Sequence, residues 1–128
     1  MNTLKCAAFG FAIALVAGCS ALNQGPTMYH EVSVPREFLG GRGWAYAPSD
    51  HERYVEAYET AWWSCIEKYA LDIDYASTKT DRIGVGWRAA VVGAENGFDG
   101  CEARIQENIR LYGKERTQEH LIEIWDAK

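Results

Sequence analysis

Side chains able to do chemistry are thinly spread along this chain. His30, His51 and His120 are the groups best suited by type to move a proton or hold a metal near neutral pH. None stands in an H-E-x-x-H or any other ligand spacing. Asp72 and Asp74 alternate in a segment of period-two character, and two carboxylates on one face can serve acid–base chemistry or bind a cation. Acids alternating on a solvated strand are far commoner. Gly40, Gly41 and Gly43 invite a phosphate-cradle reading, but G-x-x-x-x-G-K-[ST] is absent and no strand precedes them. G-x-S-x-G is absent too. The expectation is a chain that is not an enzyme and has no metal site and no cofactor.

Recognition residues are better represented. Five Trp and seven Tyr are many for 128 residues, and such side chains fill cores or join an apolar body to a polar handle at an interface. Trp44 and Tyr46 lie in the glycine-rich stretch 35–48, read as an arm whose aromatics pack on the body or touch a partner. Trp63 stands about 100° around a helix from Trp62, so it either covers a sheet edge or is exposed. Trp44, Tyr46 and Trp63 are therefore the partner-binding candidates.

The elements that would position them begin with a helix over 50–70. Ser49 is a good N-cap, Glu52 stands at capping-box spacing, and Pro48 lies just outside. Tyr54, Tyr58, Ala61, Trp62, Cys65, Ile66 and Tyr69 form one apolar stripe, with Glu52, Glu56, Glu59 and Glu67 elsewhere. After it the period changes to two. Residues 71–75 and 82–92 alternate around a polar turn at 77–81, with Gly84 and Gly86 on the face opposite Ile83, Val85 and Trp87, and 94–100 reads as a loop with an Asn-Gly turn. The last part supports two readings. Cys101, Ala103, Ile105, Ile109 and Leu111 form a period-two series broken at Glu107, whereas Asp99 and Glu102 could cap a helix carrying Ile105, Ile109 and Tyr112. A turn-like 113–116 followed by β-rich 121–125 favours a second hairpin. The expected fold is α+β, with one long helix packed on a roughly four-stranded antiparallel sheet.

Residues 1–19 decide where such a body lives. Lys5 precedes an uncharged apolar run, 6–17, shorter than the roughly 20 residues that a spanning helix needs, so it suits a cleaved signal better than a membrane span. Leu15-Val16-Ala17-Gly18-Cys19 resembles the lipobox of bacterial lipoprotein signal peptides. That resemblance implies cleavage before Cys19 and a triacylated Cys19 as the first mature residue; the alternative is an ordinary secretory signal. Two or more acyl chains hold a protein firmly at a bilayer, at about 0.8 kcal/mol per buried methylene. Ser20 resembles the outer-membrane sorting pattern of enteric bacteria. The expected organisation is a signal peptide over 1–18, the lipidated Cys19 with tether and arm over 19–48, and the α+β domain over 49–128.

Cysteine bookkeeping follows from that address. Cys6 leaves with the signal peptide and Cys19 becomes a thioether, which leaves Cys65 and Cys101 to pair as a disulfide in an oxidising compartment. Closing a loop of about 37 residues would stabilise the fold by roughly 3–4 kcal/mol. Removing 1–18 removes Lys5 and no acid, so the formal charge goes from −5 to about −6. An acidic chain is repelled by nucleic acid, which is not expected as a partner.

The expected pattern is similar to small helix-on-sheet domains of envelope lipoproteins, including the helix-grip domains of the outer-membrane assembly machinery. The resemblance carries no motif and transfers no site residue. It supports the fold more than the role. The expected role is a noncatalytic envelope lipoprotein, anchored in the membrane and facing the periplasm, that binds a protein partner through the Gly-rich aromatic arm, an exposed sheet edge or Trp63, within an assembly, transport or secretion complex. The alternative is a periplasmic inhibitor, for example of a wall-degrading enzyme, or a binder of a small apolar molecule between helix and sheet.

Overall fold

The computed structural model of the chain describes residues 25–38, 48–73 and 87–128. Its first helix, α1 (Pro48–Ala70), buries Tyr54, Ala57, Tyr58, Ala61, Trp62, Cys65 and Ile66 at steps of three and four residues. Proline at the first helical position sacrifices no hydrogen bond, so the helix starts at Pro48 and Ser49 lies inside its first turn. It ends in a Schellman arrangement. The Ile73 N–H donates to the Lys68 carbonyl at 3.0 Å, across Asp72 with its left-handed φ of 53°.

α2 (Arg88–Tyr112) lies parallel to α1. Gly93 faces the Tyr54 backbone, Gly97 faces Tyr58, Cys101 is joined to Cys65 and Glu102 accepts from Tyr69, so both chains advance in the same direction. The approach is close because α2 shows no side chain there. A Cβ on Gly97 would lie 2.9 Å from both the carbonyl carbon and the Cα of Tyr58. Beside this contact Ala57 and Ala61 pack on Ala94. The Cys65–Cys101 disulfide spans a Cα–Cα distance of 6.2 Å, within the ordinary range, and staples the two helices at their shared core. Because the pairing is parallel, the start of α2 lies beside the early part of α1. Trp87 accordingly lies at the early end of α1, with the Arg53 guanidinium 3.9 Å from its ring centroid.

α3 (Lys114–Ala127) follows after Gly113 alone, whose φ of 94° is a conformation that favours glycine. It runs back antiparallel to both partners, burying Thr117 and Leu121. Its Gln118 amide donates to the Tyr69 and Ala70 carbonyls at 3.5 and 3.4 Å, covering groups that the end of α1 leaves unpaired.

On another side of the α1–α2 pair lies an extended strap, residues 25–38, ending in a 3-10 turn at Arg36–Phe38. Met28, His30, Val32 and Val34 turn inward while Tyr29, Glu31 and Ser33 face out. The inward residues cover an aromatic ladder on α1, Tyr54–Tyr58–Trp62, whose successive centroids are 6.0 Å apart. His30 lies tilted against Trp62 with ring centroids 4.6 Å apart, and the fully buried Phe38 meets Tyr54 edge-on at 5.9 Å. Buried Asn108 tethers the other end: its amide donates to the Thr27 carbonyl at 2.9 Å and accepts from the Thr27 N–H at 3.4 Å. Leaving such an amide unpaired would cost about 1–3 kcal/mol.

These observations overturn the expected α+β fold: among the described residues there is no β-strand and no sheet. Leu71-Asp72-Ile73, read as the start of a strand, is the stop signal of α1. Residues 88–92, read as the end of a strand, and 94–100, read as a loop, are helical. The period-two series from Cys101 to Leu111 is helical as well. Cys101, Ile105 and Asn108 are buried, Ala103 and Leu111 are not, and Glu107 breaks the alternation because it lies on the outer face. Residues 121–125 are also helix, burying Leu121 with Ile124 and Trp125 half-buried at steps of three and four. His120 therefore lies on a helix. The stretch read as a tether is packed from Gly25 onward, since Gly25 and Pro26 are already buried. Tyr75, Ile83, Val85, Gly84, Gly86 and the turn at 77–81 lie outside the described residues.

Two measurements test this packing. In thermal melts Gly97→Ala should lower stability by about 1–3 kcal/mol despite its better helix propensity, since its Cβ meets backbone. Gly100→Ala, whose Cβ would lie 3.4 Å from the Tyr58 hydroxyl and 3.5 Å from Trp62, should be neutral or stabilising by up to about 1 kcal/mol. Replacing Cys65 and Cys101 together by alanine should cost about 4 kcal/mol in urea unfolding.

Candidate functional site

Where α3 crosses α1, the outer face of α1 becomes one wall of a cleft of ≈ 430 Å³. Helical spacing brings Glu56, Glu59, Trp63 and Glu67 to this wall, opposite the aromatic ladder. α3 supplies Trp125, and Lys128 follows as the first residue past the helix end. The two indoles meet with centroids 6.3 Å apart and planes at 54°. Over them stands the Lys128 ammonium, 5.0 Å from the Trp63 ring and 4.9 Å from the Trp125 ring. These separations suit cation–π attraction. The arrangement is chemically a cation receptor, with π faces beneath and carboxylates around.

A second cleft, ≈ 250 Å³, opens where the end of α1 meets α2 and α3. Tyr69, Ile105, Ile109 and Leu121 give it an apolar wall, and Thr117 lines it with a buried hydroxyl that has no hydrogen-bond partner among the described residues. Tyr69 donates to Glu102 at 2.7 Å, and Lys68 lies 3.5 Å from the same carboxylate. Burial, then the Glu102 hydrogen bond, push the Tyr69 phenol up to about 12. It stays protonated and a donor at any physiological pH.

Of the candidates read from sequence, Trp63 lies in the larger cleft, half-buried against Trp125 rather than over a sheet edge. Cys65 and Cys101 are bonded to each other. Cys19, Trp44, Tyr46 and Asp74 lie outside the described residues, and Asp72 is in the turn after α1 rather than on a strand face. Sequence reasoning missed Trp125 and Lys128, which a strand reading of 121–125 had detached from Trp63. The steps from Glu56 to Glu59, Trp63 and Glu67 were nevertheless a visible helical face.

No group of three or more His, Cys, Asp or Glu among the described residues could hold a metal, and no described helix is long and apolar enough to cross a membrane. Set against protein-family models, curated proteins and solved structures, the chain matches none.

His120 offers a test of α3 packing. Its Nε2 is buried without a hydrogen-bond partner among the described residues, and burial holds the imidazole below its ordinary pKa, with Glu123 pulling the other way. As pH falls, the unfolded chain therefore takes the proton first. The His120 contribution to stability is intact above about 6.5 and is lost as pH drops through that value toward the lower folded pKa. Urea unfolding on both sides of it should show this fall, and His120→Gln should flatten it.

Proposed function

We propose that this chain is a noncatalytic bacterial envelope lipoprotein, anchored through Cys19, that binds a protein partner as an accessory of an assembly, transport or secretion complex. The observation that carries the binding part is the pair of half-buried indoles, Trp63 and Trp125, at the floor of a cleft lined by acids. An aromatic anchor rimmed by charge is the arrangement from which interface hot spots are built. The anchoring part rests on the lipobox-like residues 15–19.

The strap gives the proposal a geometry. Six peptide steps separate Cys19 from Gly25, a reach of about 20 Å at full extension. Gly25 lies beside Arg116 in the early part of α3, so an anchor at Cys19 holds that end of the body toward the membrane. From there the larger cleft runs up α1, and Glu56 stands roughly 20 Å beyond Ala70 along the helix axis.

A second reading, capture of a small apolar molecule, has one observation in its favour. The Thr117 hydroxyl, without a hydrogen-bond partner among the described residues, would orient such a ligand between helices at the apolar ≈ 250 Å³ cleft. Mass spectrometry of small molecules released from the purified protein addresses it.

Intact-mass analysis of native material tests the anchor: a triacylated Cys19 as first residue is expected, and an uncleaved, unmodified amino terminus overturns it. Crosslinking in membranes followed by pull-down tests the partner. A defined envelope complex should be recovered and should be lost on Trp63→Ala with the helical circular dichroism retained. Bait alone, or a complex indifferent to Trp63, contradicts the reading.

A further inference from the structure

The same cleft specifies what kind of partner it takes. We infer that Trp63 and Trp125 form a clamp for a lysine side chain of a basic, extended segment of the protein partner, and that Lys128 occupies the clamp until that segment displaces it. The inference rests on the partner-binding reading above and adds the chemistry of recognition.

Three observations converge. First, the indoles meet at an angle that leaves two π faces open to one cation, and an alkylammonium already stands over both at 5.0 and 4.9 Å. Lys128 shows that the chemistry and the size are right. Second, that occupant is held weakly. It follows the end of α3 and is exposed, so it gives up little on release. At an exposed site each ring supplies roughly a two- to fivefold preference for a cation. Third, the cleft remains acidic with Lys128 in it. Glu56 and Glu59 alone carry −2 against the single +1 of Lys128 among the described residues that line it. The whole chain, at −5, adds attraction of the same sign for a basic partner at long range.

Length decides between a single ammonium and a peptide. From Glu56 to Glu67 is eleven residues of helix, roughly 16 Å, with Trp63 between them. A lone alkylammonium over the indoles does not reach Glu56, seven residues of helix and roughly 10 Å from Trp63. An extended chain rises about 3.3 Å per residue, so a lysine in the clamp places a second cation, four residues away on the same face, about 13 Å along. That reach brings a partner segment within range of the acids at the cleft's ends.

The test uses the full chain in detergent, titrated at low ionic strength with an extended Gly/Ser peptide carrying lysines four residues apart. Its controls are the same peptide with glutamine for lysine, and tetramethylammonium chloride as a bare cation. Indole fluorescence and the indole N–H resonances of Trp63 and Trp125 report binding. The lysine peptide should perturb both indoles and the glutamine peptide neither. Lys128→Ala, at an exposed position, should tighten binding by about two- to fivefold. Glu59→Gln should weaken it, as should Trp125→Leu, by about tenfold, with Trp125→Phe intermediate and circular dichroism checking the fold. Equal binding of lysine and glutamine peptides overturns the inference. So does binding indifferent to both Lys128→Ala and Glu59→Gln, which needs no change in the core. Tetramethylammonium binding as tightly as the peptide overturns the partner-segment assignment. The assay needs no lipid, so an unmodified Cys19 with a working clamp refutes the envelope reading alone. A triacylated Cys19 with an indifferent clamp refutes this inference alone.

Discussion

Two helices can lie backbone against backbone only where one of them presents no side chain, and α2 meets that condition at Gly93 and Gly97. Each glycine admits a carbonyl of α1, that of Tyr54 and that of Tyr58. Close approach sets the depth at which the Tyr54–Tyr58–Trp62 ladder lies and brings Cys65 within bonding range of Cys101. Remove the glycine face and the helices must part, which would open the ladder and separate the sulfurs. The disulfide and the glycines thus support one geometry from two sides, one by covalent restraint and the other by the absence of bulk.

The strap completes what the helices leave open. A ladder of three large aromatics on one helix has more apolar surface than a glycine-faced partner can cover, and α3 lies elsewhere. Met28, His30, Val32, Val34 and Phe38 supply the missing cover from a single extended segment. Its backbone polar groups find a partner in the Asn108 side chain, which bonds to Thr27 as a neighbouring strand would. That explains a buried asparagine in the middle of an apolar helix face.

α1, its end near Ala70 and the Cys65–Cys101 pair were legible in the sequence, because an apolar stripe at steps of three and four has one structural meaning over twenty residues. α2 was not. Gly93, Gly97 and Gly100 each lower helix propensity by about 1 kcal/mol relative to alanine, and the value of Gly93 and Gly97 appears only once a partner backbone lies against them. Short apolar runs gave the second ambiguity. Leu121, Ile124 and Trp125 fit a helix as well as a strand, and in the preceding series Glu107, out of place in the alternation, and Ile105, Ile109 and Tyr112 pointed to the helical period. The alternation of the strap was visible, but a period of two says nothing about whether a groove exists to receive it. Half of the larger cleft could be read, as acids and Trp63 on one helical face; its other half depended on where α3 runs.

Parallel pairing of α1 and α2 gives the disulfide a role beyond stiffness. The bond joins the two helices independently of the passage of chain between Ala70 and Arg88. A nick in that passage would leave one covalent molecule with its helical faces still mated.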